Sequence, residues 1–229
     1  MLTTVNLFTN LSVVIPVGPN EHAWRHLLNE LEVFGKDLEI ILSACQAPPV
    51  DFKLPENAKW LQGAQGRARQ LNAGARQSSR CLIWFLHADT RLTEEVIPAV
   101  QLFIKTGGVS LGYFKLKFAG DGPRQTRLNA WAANLRSRYF ALPFGDQGFI
   151  INKTAFEQLK GFDETVTLGE DLDFVVRLQA AGITLQELPA EVITSARRYR
   201  QHGWFSTTLR HVWLTWRLTR QAKRRLVFH

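Results

Sequence analysis

The stretch CLIWFLHADTRL, residues 81–92, decides the fold that the sequence predicts. Its first half is an apolar run too short to span a membrane and too evenly apolar for a half-exposed strand, which indicates a strand buried on both faces. Small and polar residues follow directly, and open α/β sheets bind ligands at the carboxyl ends of their strands. Asp89 is therefore a candidate ligand for a divalent cation that carries phosphate oxygens. The alternative is that Asp89 and Thr90 only form a turn and cap the next helix.

Strands and helices alternate on either side of this stretch. Upstream, the predicted strands are residues 11–17, 38–42 and 59–61, and the predicted helices are residues 21–34, capped by Asn20, and 67–75. Downstream, we expect a helix opened by residues 93–95, a strand at 109–118, a helix at 123–139, a loop and strand at 145–151, and helices at 154–159 and 170–181. This order predicts an α/β protein with a mostly parallel, doubly wound sheet and helices on both faces.

The composition is that of an ordinary globular protein. Of the 229 residues, 45% are hydrophobic and 21% are charged, which fits one large domain or two small ones. No basic N-terminal region precedes a long apolar run, so the sequence predicts neither a secretion signal nor a membrane-spanning helix. Cys45 and Cys81 lack metal-ligand spacing and indicate buried thiols in a reducing compartment. We therefore expect a cytoplasmic protein.

The net charge of +8 belongs to the end of the chain. Residues 192–229 contain nine Lys and Arg residues and no Asp or Glu, which leaves 19 cations against 20 acids in the rest of the chain. The body is thus nearly neutral, and the basic character concerns the partners of the tail. We predict one domain over residues 1–200 and a basic amphipathic helix over residues 201–229, packed on that domain or extending from it.

Five motifs follow one another in an order that resembles the family 2 glycosyltransferases. They are LSVVIPV at residues 11–17, GRARQLNAGA at 66–75, LHADT at 86–90, GDQGF at 145–149 and GEDLDFVVRL at 169–178. The resemblance runs over residues 11–200 and is closest to the short, single-domain bacterial subgroup often encoded beside radical-SAM proteins. It implies a GT-A fold, a UDP- or GDP-sugar donor, Mn²⁺ or Mg²⁺ at the diphosphate, and transfer of the sugar to an acceptor hydroxyl with inversion.

The same resemblance implies roles for individual residues. Asp171 would be the general base that takes the proton of the acceptor hydroxyl, with Glu170 beside it, and Asp89 would bind the metal. The implied donor-nucleotide site consists of Pro16, Gly66, Arg67, Asn72, His87, Ala88 and Asp89. Asp146, Gln147 and Gly148 would bind the acceptor, and Arg197 and Arg198 would bind the diphosphate. The alternative for Glu170 and Asp171 is that two acids in the first turn of a helix only complement its dipole, which stabilises the helix by about 0.3–1 kcal/mol for each acid.

Two positions depart from the family's pattern. His87 stands where the family usually has the first aspartate of an Asp-x-Asp-like element, which mostly touches the donor ribose, and an imidazole there could favour Mn²⁺ over Mg²⁺. The second predicted strand runs into Ser43 without the acidic residue that reads the nucleobase. Either backbone groups read the base, or the base is not uracil, or the fold has lost catalysis and serves as a binding module.

A sugar-phosphate nucleotidyltransferase is the alternative enzyme class, since it shares this layered sheet. Such an enzyme has a Gly-rich loop with Arg and Lys after its first strand. The corresponding segment here, VGPNEH at residues 17–22, has no such loop. The sequence therefore favours the transferase.

The sequence of the tail, residues 201–229, predicts an aromatic-rich, basic amphipathic helix over residues 204–220. Its apolar side chains recur at helical spacing: Trp204, Phe205, Leu209, Val212, Trp213 and Trp216. The stripe could pack on the body, dock on an anionic membrane surface, or bind nucleic acid, the least favoured partner because no recognition motif is present. We expect the first half of the helix to pack on the body. Residues 221–229 should then be exposed and weakly attracted to acidic headgroups at the inner face of the membrane.

Overall fold

The strand predicted from the CLIWFLHADTRL stretch lies inside an eight-stranded sheet in the computed structural model, which describes residues 7–227 apart from the side chains of residues 202, 226 and 227. The strands are β1 (Leu11–Val17), β2 (Glu39–Ala44), β3 (Ala58–Gln62), β4 (Leu82–Phe85), β5 (Arg91–Leu92), β6 (Ser110–Phe118), β7 (Phe149–Asn152) and β8 (Thr184–Thr194). The helices are α1 (Trp24–Leu31), α2 (Arg67–Gln77), α3 (Val96–Thr106), α4 (Thr126–Phe140), α5 (Lys153–Gln158), α6 (Glu170–Ala180), α7 (Arg197–His202) and α8 (Trp204–Val227).

The sheet has the order β3-β2-β1-β4-β7-β6-β8-β5. Strands β3, β2, β1 and β4 are parallel, as are β6 and β8, but β7 runs antiparallel to both of its neighbours and β5 antiparallel to β8. The prediction of a mostly parallel sheet therefore describes the first half of the chain, and the whole sheet is mixed. Within the parallel half, β1, β2 and β4 read as largely apolar runs, as burial on both faces requires, whereas β3 at the edge does not.

Helices cover both faces of the sheet, as the sequence predicts. Val13 and Ile15 of β1 belong to a core cluster that includes the apolar residues of α1 and α3. Val14, which points to the opposite face, belongs to a second cluster that includes residues of α2, α5 and α6. Gly74 of α2 is the point of closest approach, since a Cβ there would lie 2.4 Å from Val14 Cγ1. The carboxyl ends of β1 and β4 are thereby held at one edge of the sheet.

Two local predictions are wrong. Asn20 does not cap the first helix but takes a left-handed φ of 57°, and the helix begins only at Trp24. The Glu21 carboxylate accepts hydrogen bonds from the backbone N–H groups of His22 and Ala23 instead. Cys81 is exposed and Cys45 half-buried, so neither is the fully buried thiol expected.

The tail forms one long helix, α8, whose packing agrees with the prediction only in part. The stripe expected to pack on the body is exposed: Phe205 67%, Leu209 54%, Val212 63%, Trp213 52% and Trp216 55%. The first half is nevertheless attached to the body, since Trp204 donates to Asn129 of α4 and Thr207 is buried. The second half is docked as well, although Lys223, Arg224 and Arg225 are exposed as expected. Ala222 is buried, and Arg225 lies 3.3 Å from Asp163 and 3.8 Å from Asp173 of α6.

The close approach of α8 to α6 occurs at the start of α6. A Cβ on Gly169 would lie 2.7 Å from Leu218 Cδ1, and Gly169 has a φ of 81° that only glycine adopts easily. The ends of the predicted domain and tail, residues 1–6 and 228–229, lie outside the described residues. Within the described part of the chain, no helix has both the length and the apolar character needed to cross a membrane.

Candidate active site

A groove of about 1340 Å³ begins at the carboxyl ends of β1 and β4 and continues between α4 and α8. Its first part is polar and is lined by residues of the LHADT motif and of the segment that joins β8 to α7. Its second part has apolar walls, which include Leu128 and Trp131 of α4 and Val212 and Trp216 of α8. The groove thus joins a charged region to an apolar region.

Asp89 lies at the polar end, in the turn between β4 and β5, beside Arg197 of α7. Arg197 Nη2 is 4.0 Å from Asp89 Oδ2 and 2.8 Å from Glu21 Oε2. Burial raises the pKa of Asp89, although the Arg197 guanidinium opposes this rise and Glu21 adds to it. Burial would also raise the pKa of Glu21, but the Ala23 N–H and Arg197 together lower it. Of these two carboxylates, Asp89 is therefore the one whose charge is less well compensated.

His87 and Arg198 extend this polar end. The His87 Nε2 atom is buried without a hydrogen-bond partner. Burial, together with the nearby positive charges of Arg67 and Arg198, holds the pKa of His87 well below its usual range, so the imidazole is neutral at pH 7. A neutral ring keeps one nitrogen free to accept a hydrogen bond or to bind a metal.

Asp146 is the carboxylate that faces the middle of the groove. It lies in the short turn Gly145–Gln147 before β7, and its Oδ1 atom is buried without a hydrogen-bond partner. Burial raises the pKa of Asp146 to about 6, a rise that Arg136 opposes and Asp171 increases. Arg136 is itself held over the Phe144 ring, 3.5 Å from its centroid.

Asp171 and Glu170 lie at the start of α6, behind the turn that carries Asp146. Asp171 Oδ2 accepts the Gly145 N–H at 2.7 Å, and its Oδ1 accepts the Leu172 N–H at 2.8 Å. Glu170 is buried, and its Oε1 lies 2.8 Å from Arg67 Nε in a charge contact that lacks hydrogen-bond alignment. Burial and the neighbouring Asp171 raise the pKa of Glu170. Asp171 lines a small separate cavity, which also touches His87 and Arg67, rather than the main groove.

The structure brings most of the predicted site residues together. The main groove is lined by Pro16, Arg67, His87, Ala88, Asp89, Asp146, Arg197 and Arg198. Gly66 ends the loop before α2 with a φ of 136° and does not line the groove.

Asn72, Gln147 and Gly148 do not line the groove, and their contacts are with other parts of the protein. Asn72 donates to the Phe162 carbonyl and accepts its N–H, at 2.8 and 2.9 Å. Gln147 is fully buried; it donates to the Phe114 carbonyl and accepts from Ser137 Oγ and the Phe144 N–H. Gly148 takes a φ of 64° against Leu86 and Trp84.

Sequence reasoning missed several residues that line the groove. Glu21 and Gln70 line the groove, and Gln70 Nε2 donates to the carbonyls of Val17 and Ser43, at the ends of β1 and β2, at 2.7 Å each. Tyr199 Oη and His211 Nδ1 are 3.1 Å apart where α7 meets α8. Glu21 could have been found, because it follows the β1 strand at its ligand-binding end. The others depend on long-range packing, which leaves no local signal.

A metal ion would find few ligands on the protein itself. The described residues contain no group of three or more His, Cys, Asp or Glu side chains that could hold one. Mg²⁺, however, is usually bound through one or two carboxylates together with substrate phosphates and water. Asp89, whose buried charge is only partly compensated, fits that single-carboxylate role.

No protein-family model matches the sequence, and no curated protein matches it. Several solved structures, however, match the fold of this chain. S. aureus TarS, a glycosyltransferase, matches with a TM-score of 0.59 and 19% identity over 82% of this chain and 35% of TarS. The structure of TarS 1-349 matches with a TM-score of 0.58 and 18% identity, and that of TarS 1-349 in complex with UDP with 0.57 and 19%. Both cover 82% of this chain and 58% of theirs.

These likenesses concern the fold. The chain spans about a third of the length of the first TarS structure, and identity below a fifth shows a shared architecture rather than a shared activity. The chain therefore has a mixed α/β fold similar to that of a glycosyltransferase, which confirms the predicted fold at that level. The placement in a bacterial subgroup stays a prediction.

Proposed function

We propose that the protein is a glycosyltransferase that moves a sugar from a nucleotide donor to an acceptor hydroxyl with inversion at the anomeric carbon. One observation carries the proposal. Residues from motifs far apart in the sequence, Asp89, Asp146 and the Arg197–Arg198 pair, line a single groove at the ligand-binding edge of a sheet. The fold is shared with TarS, whose structure in complex with UDP is among the matches, which supports a nucleotide-sugar donor.

The donor's diphosphate is best accommodated between Asp89 and the two arginines. Departure of the nucleoside diphosphate leaves negative charge on its oxygens, which cations stabilise in the transition state. Arg197 and Arg198 are exposed in the groove and supply such charge directly. Asp89 would hold Mn²⁺ or Mg²⁺, which when bound neutralises diphosphate oxygens as a Lewis acid.

The nucleoside would lie at the ends of β1 and β2, beside Pro16 and Gln70. The end of β2 itself supplies no carboxylate: Ser43 is buried and its carbonyl accepts a hydrogen bond from Gln70 Nε2. We propose that backbone groups read the base, so discrimination between UDP and GDP is weaker than a carboxylate would provide.

We propose Asp171 as the proton acceptor, as the family resemblance implies. Its competitor is Asp146, which faces the main groove with one unpartnered oxygen and a pKa of about 6. A general base works best with a pKa near the operating pH, and this favours Asp146. The contacts of Asp171 point the same way, since Asp171 Oδ2 would have to share or release the Gly145 N–H to take a proton. The two assignments predict different mutants to be inactive.

The test is transfer and donor hydrolysis across UDP-, GDP- and dTDP-sugars, with Mn²⁺ or Mg²⁺. Asp89→Ala, Asp171→Asn and Asp146→Asn would be compared with Asp51→Asn, an exposed acid outside the groove, as the matched control. Loss of the general base should lower the rate roughly 10²–10⁴-fold. A larger loss in Asp146→Asn than in Asp171→Asn would transfer the role to Asp146, and full activity of Asp89→Ala would refute the metal site.

The two alternative functions, a nucleotidyltransferase and a binding module, predict other results. A sugar-phosphate nucleotidyltransferase would release pyrophosphate from a nucleoside triphosphate and a sugar 1-phosphate. A binding module would bind a nucleoside diphosphate, measured by isothermal titration, but turn over no donor.

A further inference from the structure

The exposed aromatic side chains of the protein lie together. Within residues 7–227, every aromatic residue classed as exposed is on α4 or α8, with 52–73% of its surface accessible: Trp131, Tyr139, Phe140, Phe205, Trp213 and Trp216. Leu128, Leu209 and Val212 on the same helices are also 54–63% exposed. Single exposed apolar residues are ordinary, but a set of nine on two helices marks an interaction surface. We call these nine side chains the aromatic surface.

The two helices are joined to each other. Trp204 Nε1 at the start of α8 donates to Asn129 Oδ1 of α4 at 2.6 Å, and Asn129 Nδ2 donates to Thr208 Oγ1 at 2.9 Å. Leu128, Trp131 and Phe140 from α4 and Val212 and Trp216 from α8 also line the groove. The aromatic surface therefore borders the apolar half of the groove and is not a separate patch.

The two helices that carry this surface have charged side chains of one sign only. The sequence has no Asp or Glu over residues 122–145, which include α4, and none over residues 192–229, which include α8. Exposed cations accompany the aromatic rings: Arg124, Arg127, Arg138, Arg210, Arg217, Arg220, Lys223 and Arg224. Arg217 and Arg220 lie over the rings of Trp213 and Trp216, 5.1 and 4.1 Å from their centroids. The surface thus presents aromatic rings and positive charge on the same elements.

This combination fits an anionic lipid bilayer. Tryptophan and tyrosine partition to the headgroup level of membranes, and Lys and Arg near the surface are each attracted to anionic lipids. A second copy of the chain fits poorly, because a two-fold contact would place this acid-free surface against itself and bring like charges together.

We propose that α4 and α8 form a surface that docks on an anionic bilayer and that the apolar half of the groove receives a lipid-linked acceptor from it. The docking surface is carried by the middle of α8 and by α4, and not by the segment around Ala222 and Arg225, where Ala222 is buried and Arg225 pairs with Asp173 of α6. The choice of acceptor rests on the proposed function, whereas the docking itself does not.

The test is co-sedimentation of the full chain with phosphatidylcholine vesicles that contain or lack phosphatidylglycerol, at low and high salt. Wild type should bind the anionic vesicles, lose binding in high salt, and shift its tryptophan emission to shorter wavelength. Trp213→Ser with Trp216→Ser should bind at least tenfold more weakly, and Arg217→Gln with Arg220→Gln should do the same. Val33→Ser with Val50→Ser, two exposed apolar residues elsewhere, and Lys36→Gln with Lys53→Gln are the matched controls.

Several outcomes would overturn the docking. They are absence of binding to anionic vesicles, an equal loss in the control variants, equal binding to a single-stranded RNA homopolymer, and a dimer in sedimentation velocity that the Trp213→Ser, Trp216→Ser variant abolishes. Nucleotide binding by isothermal titration separates this proposal from the proposed function. A Phe205→Ser, Trp213→Ser variant, in which both altered side chains lie outside the groove lining, should still bind the nucleoside diphosphate that wild type binds. A wild type that binds vesicles but no nucleotide would refute the transferase and leave the docking intact.

Discussion

Helices α6 and α8 both have apolar residues at positions i, i+3 and i+4, yet the protein buries one set and exposes the other. In α6, Leu172, Val175, Val176 and Leu178 are at most 3% exposed. In α8, Leu209, Val212, Trp213 and Trp216 are 52–63% exposed. Spacing therefore predicts a helix and an apolar face, but it does not say what covers that face. Where the protein itself does not cover it, the face is available to a partner.

The clearest test of this contrast removes a large side chain from α6. Phe174 is fully buried, and its ring packs against Phe156 and Phe162 at centroid distances of 5.4 and 4.9 Å. Phe174→Ala should lower the free energy of unfolding by about 3–5 kcal/mol, because the cavity adds to the lost burial. Urea unfolding followed by circular dichroism measures this. A loss below about 1 kcal/mol would show that α6 is not part of the core.

The sequence predicted the first half of the sheet better than the second. β1, β2 and β4 are buried on both faces and therefore read as apolar runs. β8 was not predicted, since its sequence TLQELPAEVIT mixes glutamates and a proline with apolar residues. The pairing of β6 with β8 shifts register between Tyr113 and Lys115, and Pro189 falls within the matching irregular part of β8. A proline there removes a ladder donor without breaking the sheet.

Within the candidate site, too, the sequence indicates the place of some residues better than that of others. Asp89 and Arg197 could be placed from motif order alone, and the fold does bring them together. Asn72 and Gln147 were assigned to ligands but are buried and bonded to backbone. A buried amide that satisfies the backbone and an amide that binds a substrate have the same sequence signature. Only the tertiary structure separates them.

Truncation after Arg220 tests which half of α8 is docked. It removes the buried Ala222 and the contacts of Arg225 with Asp163 and Asp173. Removing one buried methyl group and two partly exposed ion pairs should lower the free energy of unfolding by about 1–2 kcal/mol. Vesicle binding should persist, because the aromatic surface remains. Unchanged stability together with lost vesicle binding would instead place the docking surface at the end of the chain.

Burial of the Asp146 carboxyl should lower the stability of the folded protein at neutral pH. Its pKa is higher in the folded protein, about 6 against an ordinary 3.8, so the folded state binds more protons between these values and stability falls as pH rises through them. The rise corresponds to at most about 3 kcal/mol. Asp146→Asn should therefore stabilise the protein by about 1–2 kcal/mol at pH 7.5, since Arg136 also loses a partner.

The advantage of Asp146→Asn should shrink towards zero near pH 4, where the native carboxyl is protonated. Chemical unfolding at several pH values measures the difference between the two proteins. An advantage of the same size at both ends of the pH range would mean that the effect comes from packing and not from the charge.

The smallest effect is expected on the exposed face of α8. Trp216→Ala removes a side chain that is 55% exposed and stacks with Arg220. An exposed cation–π pair contributes about 0.5–1 kcal/mol, and the higher helix propensity of alanine offsets part of that loss. The free energy of unfolding should therefore change by less than about 1 kcal/mol in urea, while Phe174→Ala under the same conditions shows the full cost of a core position. A loss above about 2 kcal/mol for Trp216→Ala would mean that the protein itself covers this ring. The exposed stripe of α8 would then belong to the core, and the argument for a lipid partner would lose its basis.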